Sequence, residues 1–384
     1  MGAEASSNPE STRPLAVLRA MIDAVDRDML QLLSRRNALV GEVAQYKRAH
    51  RVPIRDFTRE REILEDRRRR AAPLGLRGEL IESIFRMVLW GSRDRQAALK
   101  AAVPVNVDPK TIAIIGGLGA MGRCVGDLFS DLGHAVMVVD VNTQLTAEEA
   151  AAVADVVVVS VPIAVTEEVL ARVAPRVRAD ALLMDVTSIK TRPVAVMMAS
   201  CKGSVIGTHP LFAPSVHSLQ GQRVVLCPVR GGDWLAWLTQ MLHARGLVTM
   251  ETTPTDHDRA MSIVQVLTHF ATEVLGRTLA TLGVSIDDTL KFTSPVYLME
   301  LLMTARHFSQ SPSLYASIQM SNDETDRVTS AFVDAATEWR GAVNRGDHES
   351  FEALFEEVRS YFGGFTDQAL EQSSFLIDRL VERA

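Results

Sequence analysis

Along the first hundred residues, apolar side chains recur every three or four positions, the spacing that lines one face of an α-helix. Leu15, Leu18, Ile22, Val25, Met29, Leu32, Val40 and Val43 mark such a stripe between about Pro14 and His50. At ~1.5 Å per residue this helix is about 50 Å long. The two helices that follow are too short to cover it, so the pattern predicts a partner chain. The second helix starts near Thr58 and ends in four arginines at 67–70, which read as a solvated helix end where cations suit the dipole. A third, about 77–97, carries Ile81, Ile84, Phe85 and Val88. Residues 98–109 then lose all period and hold two prolines, as a linker does.

From Lys110 to about Thr252 the rhythm changes. TIAIIG, AVMVVD, DVVVVSV, ALLMDV, SVIGT and QRVVLC are short β-rich runs separated by helical or loop stretches, which argues for a parallel α/β sheet. From about Pro254 onward helical patterns return. The expected fold is therefore multidomain: a disordered tail at 1–13, an all-α domain at 14–97, a linker at 98–109, a Rossmann-like dinucleotide-binding domain at 110–253 and an all-α domain at 254–384.

Composition narrows the classes. The 384 residues are 47% apolar and 23% charged, ordinary for a globular chain, and the net charge of −6 argues against a broad nucleic-acid surface. No apolar run is long enough to span a bilayer, and the N-terminus has no cleavable-leader pattern. Gly2 and Ser6 match the loose myristoylation pattern, but so short a match is common by chance. Cys124, Cys201 and Cys227 are odd in number and widely spaced; they fit neither disulfides nor a metal site and suit a reducing cytoplasm.

The clearest chemical motif is IAIIGGLGAMGR, a strand entering a glycine turn and a helix. Gly117, Gly119 and Gly122 would serve the tight turn, the approach of backbone to a pyrophosphate, and helix–strand packing. Phosphates would sit at the helix N-terminus. Asp140 closes the next strand, where a carboxylate meets the adenosine ribose hydroxyls and repels a 2′-phosphate, so NAD is expected rather than NADP. Ligands in such sheets bind beyond the strand ends. There, DVTSIK carries Ser188 and Lys190, and GTHPLFAP carries His209, a residue able to take the proton of an alcohol undergoing oxidation. In SPVYLMELLMTARHF, Ser294 and Pro295 read as helix cap and first turn, and Met299, Leu302 and Arg306 share a stripe. An arginine buried there would call for an anion: a substrate carboxylate, or an internal Glu or Asp. His257 and His269 lie on the intervening helix.

The helical N-terminal part also breaks its own pattern. Arg36 and Lys47 fall on the apolar stripe of the first helix, as does Arg19. Ser92 and Gln96 continue the line of Ile81, Phe85 and Val88, while Arg59 and Glu60 precede Ile63 and Leu64 by four. Several cations with one acid and neutral donors suit a small dianion bearing a hydroxyl.

Taken together, LRAMIDAVDRDMLQLLSRRNALVGEVAQYK and VPIRDFTRERE resemble the all-helical chorismate mutases. GGLGAMGR, SVPIAVTEEV, DVTSIK, GTHPLFAP, DHDRAM and SPVYLMELLMTARHF resemble prephenate dehydrogenases, and the fusion in this order is similar to the T-protein family of tyrosine biosynthesis. The resemblance implies that Arg36 and Arg19 hold the two carboxylates of chorismate, Arg19 reaching in from a partner subunit of a homodimer. It implies that Lys47 and Gln96 meet the breaking ether, that Glu60 meets the ring hydroxyl, and that Asp56, Arg59 and Ser92 line the pocket. In the second half it implies that His209 partners the ring hydroxyl of prephenate while C4 gives hydride to NAD, with Arg306 on a carboxylate and Ser188, Lys190, His257 and His269 bordering the site. Tyrosine is the expected feedback inhibitor. Leu298 stands where related fused enzymes can carry Arg, a departure that bears on any substrate or tyrosine contact there but not on Arg306. The alternative is an arogenate-preferring dehydrogenase whose mutase-like part only dimerises; the retained Arg19, Arg36, Lys47, Glu60 and Gln96 count against it.

Overall fold

A computed structural model describes residues 13–50, 52, 56–99, 108–216 and 218–381. The tail with its Gly2 pattern and most of the expected linker lie outside these residues.

Three helices open the chain: α1 (Leu15–His50), α2 (Phe57–Ala71) and α3 (Gly78–Ala98). Asp56 caps α2 by accepting from the Arg59 N–H at 2.9 Å, satisfying a donor that the first turn cannot use. The helix α3 packs on α2 and on the second half of α1, where Val40 and Ala44 are buried. The first half of α1 leaves Leu15, Leu18, Ile22, Val25, Met29 and Leu32 exposed by 40% or more. Among the described residues nothing covers that face.

The α/β region is a seven-stranded sheet ordered β2-β1-β3-β4-β5-β6-β7. Its strands are β1 (Thr111–Ile115), β2 (Ala135–Val139), β3 (Val156–Val159), β4 (Leu182–Asp185), β5 (Ser204–Pro210), β6 (Arg223–Arg230) and β7 (Val248–Glu251). The all-valine β3 is wholly buried, as a parallel strand covered on both faces must be. The helices α4 (Ala120–Asp131), α5 (Ala147–Val153), α6 (Ile163–Val173), α7 (Thr191–Ser200) and α8 (Asp233–Ala244) connect the strands. Two apolar layers form, one around Ile112, Phe129 and Leu238, the other around Ala113, Val157 and Met197.

The sheet departs from the expectation of uniform parallel pairing. The strand β6 runs antiparallel to β5, because no crossover helix stands between them and a parallel return needs one. The edge strand β7, with its exposed VTME sequence, pairs parallel to β6 and was not evident from hydrophobicity.

The remaining helices are α9 (Pro254–Met261), α10 (Thr268–Leu282), α11 (Ile286–Leu290), α12 (Pro295–Phe308), α13 (Pro312–Met320), α14 (Thr325–Arg345), α15 (His348–Phe362) and α16 (Phe365–Val381). Between α9 and α10, residues 262–267 form a π-helical turn. The cap read at Ser294 is present, its hydroxyl accepting from the Tyr297 N–H at 3.2 Å.

Candidate active sites

The covered strip of α1 is Arg36, Val40, Ala44 and Lys47. Val43 is 44% exposed, so Ala44 takes its place on the stripe, while Arg35 faces out as expected. The Arg36 guanidinium donates to the Ser92 hydroxyl of α3, which donates onward to the Val88 carbonyl at 2.6 Å. Burial, and then the neighbouring Arg67 cation, lower the Arg36 pKa. The Arg67 guanidinium is already paired with Asp66, whereas that of Arg36 meets only a hydroxyl among the described residues, so the two held close and partly out of water favour a further anion beside Arg36. Burial also lowers the Lys47 pKa, with Asp56 and Glu60 pulling the other way. Gln96 is buried; its Nε2 donates to the Ser92 carbonyl at 3.2 Å and its Oε1 has no hydrogen-bond partner among the described residues. An orphan amide oxygen is uncommon in a finished interior. It marks a place where a ligand, or a flipped amide serving one, completes the bonding.

The structure thus brings Arg36, Ser92 and Gln96 together and sets Lys47 near Glu60 and near Asp56, the helix cap. One expectation needs correction. The Arg59 side chain is exposed and pairs with Glu62 at 3.3 Å; the phase of α2 that turns Glu60 toward α3 turns Arg59 to solvent. Arg19 is exposed too, and lies roughly 25 Å up α1 from Arg36 at ~1.5 Å per residue, so its own chain cannot bring it to this site. Two further residues went unrecognised. Arg93 holds Glu60 at 2.7 Å, with both side chains less than a fifth exposed. Arg67, seven positions beyond Glu60 on the same helix face, turns inward over the Phe85 ring, whereas Arg68, Arg69 and Arg70 stay exposed. The uniform charge of the run concealed that one member faces the site.

In the α/β region the glycine turn closes off β1 at the point where β2 and β3 diverge on either side of it, the crevice that open α/β sheets use for ligands. The residue with left-handed backbone is Gly116, at φ 81°, and a Cβ there would strike the Ser160 carbonyl. The tight turn therefore belongs to Gly116 rather than Gly117, whose own Cβ would lie 2.8 Å from the Ile114 carbonyl. A Cβ on Gly122 would strike the Gly116 carbonyl, and Gly119 begins the approach to α4. The Asp140 carboxylate accepts from the Leu118 N–H at 3.0 Å and the Val141 N–H at 2.8 Å, which pins it beside the turn. A cradle that excludes side chains, a free helix N-terminus and a carboxylate one strand away fit a dinucleotide.

His209 lies within the end of β5 and is 3% exposed. Its Nδ1 is 2.9 Å from Nε2 of the buried His257, whose Nδ1 is 2.7 Å from Asp258 Oδ1. The Asp258 carboxylate also accepts the Lys190 and Thr191 N–H groups, both at 2.8 Å. Burial alone would raise the Asp258 pKa, but these hydrogen bonds outweigh it and keep the group a carboxylate. An ionised acceptor places the His257 proton on Nδ1 and leaves its Nε2 as a lone pair. His209 then carries its proton on Nδ1 and presents a bare Nε2. That atom faces the Gln265 amide at 3.3 Å.

Three expected substrate residues change role or setting. Lys190 is fully buried, bonded to Asp185 and, at 2.7 Å, to the Thr208 carbonyl; a side chain sealed in this way cannot touch a ligand, and it braces the floor under His209. His257 has both ring nitrogens engaged, so it supports His209 instead of binding substrate. On α12 the buried positions are Leu301, Thr304 and His307, and Arg306 is exposed. The buried face of the helix lies roughly opposite the expected stripe, so Arg306 meets water and lies near Tyr315. Ser188 is half-buried in the loop after β4. His269 sits one turn beyond Gln265, against the rings of His307 and Tyr315. Neither Gln265 nor Asp258 stood out in the sequence, although DHDRAM placed an acid beside His257.

Comparison with known proteins follows the same division. Residues 18–97 match the family model for chorismate mutase type II, 124–251 that for the prephenate dehydrogenase nucleotide-binding domain, and 253–357 that for the prephenate dehydrogenase dimerization domain. The T-protein of Enterobacter agglomerans is 34% identical over 365 residues, covering 94% of this chain and 97% of the relative. That of Haemophilus influenzae is 33% identical, covering 94% and 96%. The fold of the dehydrogenase half is shared with a prephenate dehydrogenase from A. aeolicus solved with hydroxyphenyl propionate and NAD+, at TM-score 0.54 and 18% identity over 67% of this chain and 98% of that one. Two catalytic folds in this order, matched nearly end to end, place the chain in the T-protein family: it is a bifunctional enzyme of tyrosine biosynthesis, a chorismate mutase fused to an NAD-dependent prephenate dehydrogenase.

Proposed function

We propose that the two reactions run on the two clusters described above, each residue acting as follows. In the mutase, Arg36 binds one carboxylate of chorismate and the partner subunit's Arg19 the other. Lys47 and Gln96 meet the ether oxygen, where negative charge grows as the bond breaks; Glu60 takes the ring hydroxyl, with Asp56 and Ser92 at the pocket wall. The rearrangement uses no nucleophile and no proton transfer, so the residues act by orientation and electrostatic stabilisation. The two neighbouring guanidinium groups of Arg36 and Arg67 support this reading. The exposed apolar half of α1 supports a homodimer in which a second copy covers it.

In the dehydrogenase, the hydrogen-bond chain from Asp258 through His257 to His209 carries the assignment. It leaves His209 Nε2 as the base that takes the proton of the ring hydroxyl. The glycine turn and Asp140 would hold NAD, which would supply the acceptor for the hydride that leaves ring C4. Loss of the ring carboxylate as CO2 then gives 4-hydroxyphenylpyruvate, and His209 returns the proton to the phenolic oxygen. Arg306 holds a substrate carboxylate from the rim, with Ser188 and His269 bordering the pocket. Tyrosine, bearing the same hydroxyphenyl ring as the product, is the feedback inhibitor. The unpaired state of all three cysteines supports a reducing, cytoplasmic setting.

The test supplies purified protein with chorismate and NAD and follows prephenate, 4-hydroxyphenylpyruvate and NADH together. Wild type should consume chorismate and form product and NADH in equal amounts. The His209→Asn variant should accumulate prephenate with unaltered mutase rate and NAD affinity. NADH formation at the wild-type rate in that variant would remove His209 as the base.

A further inference from the structure

We propose that Gln265 is a catalytic residue of the dehydrogenase: its side-chain amide donates a hydrogen bond to the substrate's ring oxygen as that oxygen passes from hydroxyl to carbonyl. The inference rests on the reading of His209 as the base.

Three observations meet at this residue. Gln265 Nε2 lies 3.3 Å from His209 Nε2, the ring nitrogen that the Asp258–His257 chain leaves as a lone pair. The other half of the same amide, Oε1, is buried without a hydrogen-bond partner among the described residues. The residue also sits within the π-helical turn at 262–267. In a regular α-helix, His257 and Gln265, eight positions apart, would differ by about 80° around the axis. Widening the turn to i→i+5 bonding brings them closer to alignment, so that both reach His209; such turns recur at functional sites. A glutamine kept only for packing would not be expected to combine a bent helix, an orphan oxygen and a contact to the base.

The geometry gives the amide a defined part in the reaction. The Gln265 N–H faces the His209 lone pair. When the substrate enters, the ring hydroxyl comes between them, donating to His209 Nε2 and accepting from Gln265 Nε2. The C4–H electron pair then leaves as hydride to NAD and the O–H proton goes to His209, so C4 becomes a carbonyl carbon. As the bond from C1 to the carboxylate breaks and CO2 departs, its electron pair passes through the ring to that oxygen. The oxygen carries negative charge until His209 returns the proton. A fixed N–H aimed at it stabilises this charge where water is excluded, as in an oxyanion hole.

Two variants of similar length, Gln265→Leu and Gln265→Met, remove the donor. With 4-deuterated and unlabelled prephenate, each should lower dehydrogenase kcat about ten- to hundredfold. The prephenate KM should move by less than about threefold, and the deuterium effect on kcat should rise as the chemical step becomes limiting. Mutase turnover in the same chain reports that the variants are folded. A kcat within twofold of wild type in a folded variant, beside an inactive His209→Asn, overturns the role of Gln265 and leaves His209 as base. Substantial turnover in His209→Asn overturns both.

Discussion

At His209, burial, the adjoining His257 and the Lys190 cation all disfavour a charged ring, and Asp258 offsets them only in part, so the pKa is held well below its ordinary 6.5. The sign follows directly. A base whose pKa is depressed is already neutral at pH 7, stays neutral as pH falls through 6.5, and is lost only below that. The pH dependence of dehydrogenase kcat/KM, which reports the free enzyme, should therefore keep its plateau through pH 6.5 and show an acid limb beneath it. A limb centred at or above 6.5 would contradict the buried setting. Stability follows the same sign, because the unfolded chain binds a proton near pH 6.5 that the native site refuses, so this residue costs stability as pH falls below that point. His209 was readable from its place before Pro210 at a strand end. Its partner Gln265 was not, since one polar residue in SIVQVLTHF is indistinguishable from a solvated position until the helix is seen to widen.

At the scale of elements, helix phase separates residues that the sequence lists side by side. Arg35 and Arg36 differ by about 100° around α1, which exposes one and sets the other against Ser92 and Arg67. Arg36→Ala should reduce mutase kcat/KM by about ten- to hundredfold or more, the worth of one or two charge-assisted hydrogen bonds. Arg35→Ala should leave it within about twofold. Steady-state rates on chorismate decide, and a larger loss from Arg35→Ala would refute the phase. On α12 the buried face lies roughly opposite the stripe expected from the sequence, because Leu301, Leu302 and Met303 are all apolar and pattern alone cannot say which of them faces inward. Asp258 adds a link between elements: lying on α9, it caps the start of α7 through the Lys190 and Thr191 N–H groups while orienting His257. The helical region is thereby tied to the strand-end loop beneath His209.

The whole molecule poses a problem of supply. The proposed mutase cluster of one chain holds Arg36, Lys47, Glu60, Ser92 and Gln96, but Arg19 is far up the same helix and exposed. If a second copy provides it, two inactive variants should complement each other. Mixing equal amounts of Arg19→Ala and Arg36→Ala subunits after dissociation should restore about a quarter of wild-type mutase activity, since half the dimers are mixed and each holds one intact site. Mixtures no more active than the separate variants would place both arginines in one chain's site.

The sequence by itself determined the order of helical, α/β and helical regions, the dinucleotide turn with Asp140, and the polar interruptions of the first and third helices. These features are local: period, spacing and glycine placement express backbone and packing constraints within a few residues of one another. Only the tertiary structure decided that Gly116 makes the turn, that Lys190 is sealed against Asp185, that Arg59 faces solvent while Arg93 holds Glu60, and that Gln265 meets His209. Each depends on which face of one element meets another across many intervening residues, where burial, hydrogen-bond satisfaction and charge pairing are settled by neighbours that the sequence does not place side by side.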